Sequence, residues 1–448
     1  MQYSSHTLAR SAKHMRAAGY RKKIIQSACL AVLLVLLAVL AQGSGREPAW
    51  KVEELSEDLG AVTIWAWDEN YNVIAAQEAV KAYKERHPDA VFEIVSMAQE
   101  EIVARINSAI LTGSHKSLPD IALIEDYRIQ YFLQNYESEF LPLNGVVHQS
   151  AFAPCKTGVN FVGNRVYGVP FDSGTVGLFY RLDLIEQAGY HEEDMQKLTW
   201  EEFIEIGKKV KEKTGKALLS MDPSDLPLLR MMLQSAGAWY TDENGKLYLE
   251  GNEALIQAIE IYREMVLSGI TLMAPDWNQF IHGFWEEKVA CVLSGSWISA
   301  SIIEQESQSG LWRVAAVPRM SKNKDSVNAS SVGGSGWYVF RYAGRAQEAR
   351  QFLAETFASD TELLDDLADR INLVSTLKAA QDSENYKKGQ PFYGGQMIYQ
   401  DFIQWTYEIP QVNYGTDTYG VEDFVAGALQ EILAGADLET VLSAYQRE

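Results

Sequence analysis

Ala61-Val62-Thr63-Ile64-Trp65-Ala66-Trp67, closed by Asp68-Glu69-Asn70, decides how the chain is read. A short β-branched and aromatic run followed by turn formers spells a strand. Asn72 is placed to cap a helix running to about Arg86, with Ile74, Ala75, Val80 and Tyr83 roughly at helical spacing. His87-Pro88-Asp89 stops that helix, and Ala90-Val91-Phe92-Glu93-Ile94-Val95 is the next strand. A helix over 99–111 leads to a third short strand, Asp120-Ile121-Ala122-Leu123-Ile124. Strands alternating with helices of this length imply βαβ units on a parallel sheet.

The pattern then starts again. Arg165-Val166-Tyr167-Gly168-Val169-Pro170-Phe171-Asp172 reads as a strand leaving the first lobe. Helix signals follow at 181–189, 199–213, 224–236 and 252–268, the second opened by Thr199 and Glu202 as a capping box. Strand signals sit at 289–293, 312–318 and 333–340, and helices fill most of 345–448. At 448 residues, with 47% hydrophobic and 22% charged side chains, the chain has the material for two cores. No internal repeat has a solenoid or propeller period.

Residues 1–41 differ from the rest. They carry Arg10, Lys13, Arg16, Arg21, Lys22 and Lys23, no acid, and then an unbroken apolar run from Ala28 to Ala41. A basic flank, a short apolar core and a small-residue ending at Val39-Leu40-Ala41 describe a secretory signal. Counted from Ile24, the 18-residue segment also stands at the short edge for a membrane anchor. On either reading the body is exported, with 42–60 as a linker. Setting the six basic residues aside leaves 33 Lys and Arg against 60 Asp and Glu, a net charge of −27. Such a body has no electrostatic footprint for nucleic acid and suits a neutral or cationic ligand.

Cys29 lies inside the apolar run, and no lipoprotein signal is present. Cys155 and Cys291 are either two unrelated buried thiols or, in an oxidising compartment, a disulfide. No Cys/His cluster has metal-ligand spacing, the glycine run 333–336 lacks a phosphate-loop context, and no G-x-S-x-G occurs. No cofactor is expected. The glycine run, Gly334 included, fits a hinge or a close approach of backbone to ligand. Acid pairs such as Glu125/Asp126 and Asp365/Asp366 arise by chance in so acidic a chain.

Aromatic and acidic residues gather at strand ends: Trp67 and Asp68 after the first strand, Asp126 after the third, Phe171 and Asp172 at the crossing, Trp297 after Ser294-Gly295-Ser296. In open α/β sheets, ligands lie beyond the carboxyl ends of the strands. Indole faces match the C–H patches of a pyranose, and carboxylates accept its hydroxyl hydrogens. Trp200, opening an amphipathic helix, reads as structural.

These stretches, together with Gly177-Leu178-Phe179-Tyr180-Arg181-Leu182-Asp183-Leu184 and 332–340, resemble the extracellular solute-binding proteins of family 1, whose best-known member binds maltose. Trp-Ala-Trp-Asp at 65–68, Gly-Gly-Gln-Met-Ile-Tyr-Gln-Asp-Phe at 394–402 and Val412-Asn413-Tyr414-Gly415 resemble its lactose/arabinose-type subgroup. The resemblance implies a two-lobed periplasmic-binding-protein fold of type II, each lobe a mostly parallel sheet flanked by helices. Lobe 1 would comprise 61–169 plus 318–341, and lobe 2 would comprise 170–317 plus 342–448, with crossings near 168–172, 316–320 and 340–344. It implies sugar contacts from Trp67, Asp68, Asp172, Trp297, Asn413 and Tyr414, with Trp239 and Trp337 as further positions. It implies a monomer that closes by a hinge and docks on the permease subunits of an ABC importer. Two other classes are an exported glycoside hydrolase, needing two spaced carboxylates, and a surface sugar sensor or adhesin. Many relatives carry a lipid-anchoring cysteine after the signal; its absence here leaves free and tethered forms open.

Overall fold

The computed structural model of the chain describes residues 60–222 and 226–447; the signal or anchor at 1–41 and the linker up to residue 59 lie outside them. Among the described residues no helix is long and apolar enough to cross a membrane. The first half runs β1 (Val62–Ala66), α1 (Asn72–Arg86), β2 (Phe92–Ser96), α2 (Gln99–Thr112), β3 (Ile121–Glu125), α3 (Asp126–Tyr136), β4 (Phe161–Val162), β5 (Arg165–Val166) and β6 (Gly168–Asp172). The second runs β7 (Val176–Arg181), α4 (Leu182–Gln187), α5 (Trp200–Thr214), β8 (Leu219–Met221), α6 (Pro227–Ser235), α7 (Glu253–Leu267), β9 (Thr271–Met273), α8 (Trp277–Trp285), β10 (Cys291–Gly295), α9 (Ser299–Ile303) and β11 (Trp312–Ala316). Then follow β12 (Ser335–Val339), α10 (Ala346–Glu355), α11 (Thr361–Ile371), α12 (Ile398–Glu408), α13 (Thr418–Leu433) and α14 (Leu438–Tyr445).

The first sheet has the order β2-β1-β3-β12-β6, and β12 runs against both its neighbours. In the second sheet β7 lies antiparallel between β10 and β11. The parallel pair β8–β9 joins it beside β10 through the Ala217–Val289 bridge and the Cys291 N–H to Leu218 carbonyl bond of 2.7 Å. Read across as β9-β8-β10-β7-β11, it too has one strand, the fourth, opposing the rest. Side chains alternate between faces with period two. Val62, Ile64 and Ala66 enter one core while Trp65 enters another. The inner core is shared by both sheets and takes α2, α3, α5, α6, α7 and α13; α1, α10 and α11 cover the far face of the first sheet, and α8, α9 and α12 that of the second.

Three expectations are corrected. Residues 346–371 were expected with lobe 2, yet the apolar stripe Leu363, Leu364, Leu367 and Ile371 joins the outer core of the first sheet, and Arg370 reaches Glu78 of α1 at 2.6 Å. The third crossing therefore lies after α11, not near 340–344, and the first follows β6 rather than splitting it at 169/170. The crossings run side by side: Val332 N–H donates to the Gly174 carbonyl at 2.9 Å, and isolated bridges pair Thr175 with Ser331 and Asp172 with Ser375. Locally the capping box appears as expected, with Thr199 N–H to Glu202 Oε2 at 2.8 Å and Glu202 N–H to Thr199 Oγ1 at 3.3 Å, and Trp200 is buried. Asn72 is not the cap of α1. Asp68, at φ +60°, turns the chain instead, its Oδ1 accepting from Asn70 N–H at 3.0 Å and its carbonyl from Val73 N–H at 3.1 Å.

Candidate functional site

A cavity of about 620 Å³ is lined by the carboxyl ends of β3, β8 and β10, with α2, α3, α6, α8, α13 and the crossing residues Val332 and Gly333 around it. One wall is aromatic. Trp297 sits in a tight turn after β10; its ring lies over Gly295, where a Cβ would meet Nε1 at 2.2 Å, and Nε1–H donates to the Val332 carbonyl at 3.3 Å. Trp277 is the first residue of α8. Asp276 caps that helix, accepting from Gln279 N–H at 2.8 Å and from Gln279 Nε2 at 2.7 Å, and these donors hold its carboxyl below the ordinary value. The Trp277 ring stacks on Phe280 (5.5 Å, 22°) and tilts toward Trp297 (5.9 Å, 40°).

The other wall is polar and spans both lobes. Tyr419 Oη–H of α13 donates to both Glu125 oxygens, at 2.9 and 2.8 Å. Arg128 lies over the Tyr419 ring at 4.3 Å, with Nε 3.5 Å from Glu125 and Nη2 3.6 Å from Glu100. Burial pushes Glu125 up to about 6, against the pull of Arg128 and Tyr419. Arg230 pairs with Glu422 at 2.6 Å and faces the Tyr127 and Tyr419 rings, and Tyr240 Oη–H donates to Glu422 at 2.8 Å. Planar guanidinium and carboxylate groups held this way are oriented donors and acceptors.

Of the residues expected at the site, Trp297 lines this cavity and the other nine do not. Trp67 is half-buried against two cores, and Asp68 is exposed at the start of α1. Asp126 is interior: it pairs with buried Lys156, its N–H donates to the Gly334 carbonyl at 3.0 Å, and burial pushes it up to about 6 against the Lys156 charge. Asp172 is buried and accepts from Ser335 Oγ at 2.5 Å. Gly334, at φ +87°, is approached by the protein's own Asp126, 2.7 Å from where a Cβ would stand. Trp337 is fully buried, stacked on Phe357 (5.1 Å, 13°), because its register turns it to the outer face of the first sheet. Trp239 and Tyr414 are buried against Tyr127, at 5.4 and 4.9 Å. Asn413 and Trp239 border a separate groove of about 630 Å³. Cys155 and Cys291 are free thiols, and burial pushes Cys155 up to about 12.

Trp277, Phe280, Glu125, Arg128, Arg230, Tyr419 and Glu422 escaped the sequence reading. Glu125 and Arg128 flank the expected Asp126, and at a strand-to-helix corner one residue of offset exchanges cavity for interior. Pro275-Asp276-Trp277 carried a signal, a cap residue followed by an aromatic at a helix start.

Residues 78–392 match the bacterial extracellular solute-binding protein family. The chain is 39% identical over 387 residues to the lactose-binding protein of Rhizobium radiobacter, covering 86% of this chain and 92% of that one. It is 23% identical over 341 residues to the arabinooligosaccharide-binding protein of Bacillus subtilis, 75% of this chain and 76% of that protein. In fold it is similar to the GacH receptor of Streptomyces glaucescens, solved unliganded and with acarbose, at TM-score 0.73 and 18% identity over 87% of this chain and 97% of that one. The match across 78–392 and the identity over most of both full chains establish that this chain belongs to the bacterial extracellular solute-binding protein family.

Proposed function

We propose that the chain captures a small neutral sugar in the 620 Å³ cavity, closes on it by a hinge and delivers it to the permease subunits of an ABC importer. The carrying observation is an indole wall facing a wall of oriented carboxylates and guanidinia. Aromatic stacking contributes about 0.5–1.5 kcal/mol per ring pair beyond area. The polar wall then selects, because a buried acceptor left without its hydroxyl costs about 1–3 kcal/mol. The relatives named for lactose and arabinooligosaccharide binding support a sugar ligand.

The division supporting closure is 61–172 with 335–371 as one lobe and 176–316 with 398–447 as the other, three crossings between them acting as the hinge. A sugar touching both lobes binds the closed form more tightly and shifts the population toward it. The protein works outside the cytoplasm as a monomer and leaves the sugar chemically unchanged. Thermal denaturation with a panel of neutral mono- and oligosaccharides tests this. A true ligand at 100 times its Kd adds about 2.7 kcal/mol. If no sugar raises the transition, or if chromogenic glycosides are turned over, the reading is overturned.

A further inference from the structure

We propose that Tyr419 and Glu125 form a latch that holds the two lobes together before any ligand arrives, so that a ligand enters or leaves only while the latch is broken. This rests on two lobes that turn about the three crossings. Glu125 ends β3 in the first lobe, and Tyr419 stands in the first turn of α13, which packs on α7 of the second. The Tyr419 hydroxyl donates to both Glu125 oxygens, at 2.9 and 2.8 Å. A phenol O–H offered to a carboxylate is a charge-assisted bond, roughly twice as strong as a neutral one. The ring is held as well: one guanidinium from each lobe faces it, Arg128 at 4.3 Å and Arg230 at 5.4 Å. Arg128 is fixed from the first lobe by Glu125 and Glu100, and Arg230 from the second by Glu422. The neighbouring Tyr127 also meets second-lobe rings, but its hydroxyl accepts from Gly333 N–H at 3.2 Å, which places it at a crossing. Glu125, Arg128 and Tyr419 line the cavity itself, so their contact joins its two sides. A closed form populated in advance raises apparent affinity, while the need to break the latch slows entry and exit alike.

Small-angle scattering on the exported chain without sugar reads the latch directly. Tyr419→Phe keeps the ring and removes only the hydroxyl. Losing one hydrogen bond to a charged group shifts the ratio of open to closed forms by about tenfold. The variant is therefore expected to show a larger radius of gyration than the parent, at an unchanged circular dichroism spectrum, and to contract when saturating lactose or maltose is added. Glu125→Ala is expected to expand the chain too, and the double variant no further than either single one, because all three remove one interaction. In stopped-flow tryptophan fluorescence with the same sugars, Tyr419→Phe is expected to speed association and dissociation together. Faster dissociation at unchanged association would make Tyr419 a sugar contact and overturn the latch. Equal radii for parent and Tyr419→Phe without sugar also overturn it. In that case contraction of both with sugar leaves the hinge reading standing, and contraction of neither removes that reading as well.

Discussion

Trp297 follows the end of β10 and Trp337 lies in the middle of β12, and their surroundings separate them. Trp297 folds over Gly295 and keeps a face open to the cavity; Trp337 lies between Phe171 and Phe357 with no exposure. Trp337→Ala should cost about 3–5 kcal/mol of stability, read by denaturant melts, while sugar affinity of the folded fraction stays within twofold. A large affinity change at unaltered stability would return Trp337 to the site. Glu125 is a second residue whose setting decides its chemistry. Its neighbours are Arg128, Arg230, Tyr419 and Asp126, yet burial dominates and moves it from 4.5 to about 6. The native chain thus holds this proton more tightly than the unfolded chain does. The group favours the fold below about pH 4.5, and that advantage is lost as pH rises through about 6. The difference reaches about 2 kcal/mol at neutral pH. Glu125→Gln should therefore raise the melting temperature relative to the parent more at pH 7.5 than at pH 5. Equal offsets at both values would remove Glu125 as the titrating group.

At the scale of elements, the crossings are the working parts. Gly174 sits at φ +60°, and a Cβ there would stand 2.5 Å from the Val332 carbonyl oxygen and 2.8 Å from the Gly334 nitrogen, both in the adjacent crossing. Neither backbone atom can swing aside as a side chain does. Gly174→Ala should lower stability by about 1–3 kcal/mol and weaken sugar binding, because it forces apart two segments whose spacing sets the lobe angle. Unchanged melting and affinity would mean the crossings are not packed this closely in solution. The β3–α3 corner holds the same hinge from the first lobe. Asp126 bonds the Gly334 carbonyl, Lys156 the Ser335 carbonyl at 3.1 Å, and Tyr127 Oη accepts from Gly333 N–H at 3.2 Å. Asp126, the one residue of this corner expected to touch ligand, is tied to the hinge, and nearby Glu125 and Arg128 line the cavity.

Over the whole molecule, charge and topology act together. The body is strongly acidic, and the described residues lining the cavity include Glu100, Glu125, Asp222, Asp276, Glu422 and Asp423 against two arginines that are already paired with acids. A sugar bearing a carboxylate meets repulsion and finds its cationic partners engaged. The uronic-acid analogue of the best neutral ligand should bind at least tenfold more weakly, and raising salt from low to high ionic strength should narrow the gap; equal affinities would show that the cavity is not acidic to its ligand.

Read alone, the sequence determined the alternation of strands and helices, the Thr199 capping box and the turn that presents Trp297, because these depend on local spacing and on residues within a few positions of one another. Long-range packing alone makes Trp337 core, sets α10 and α11 on the first sheet, and brings Glu125, Trp277, Trp297 and Tyr419 to one cavity. In a sheet buried on both faces both sets of alternating side chains are apolar, so the pattern no longer tells which way a tryptophan points. And residues 294 positions apart, such as Glu125 and Tyr419, meet only when long-range pairing brings the strand ends together.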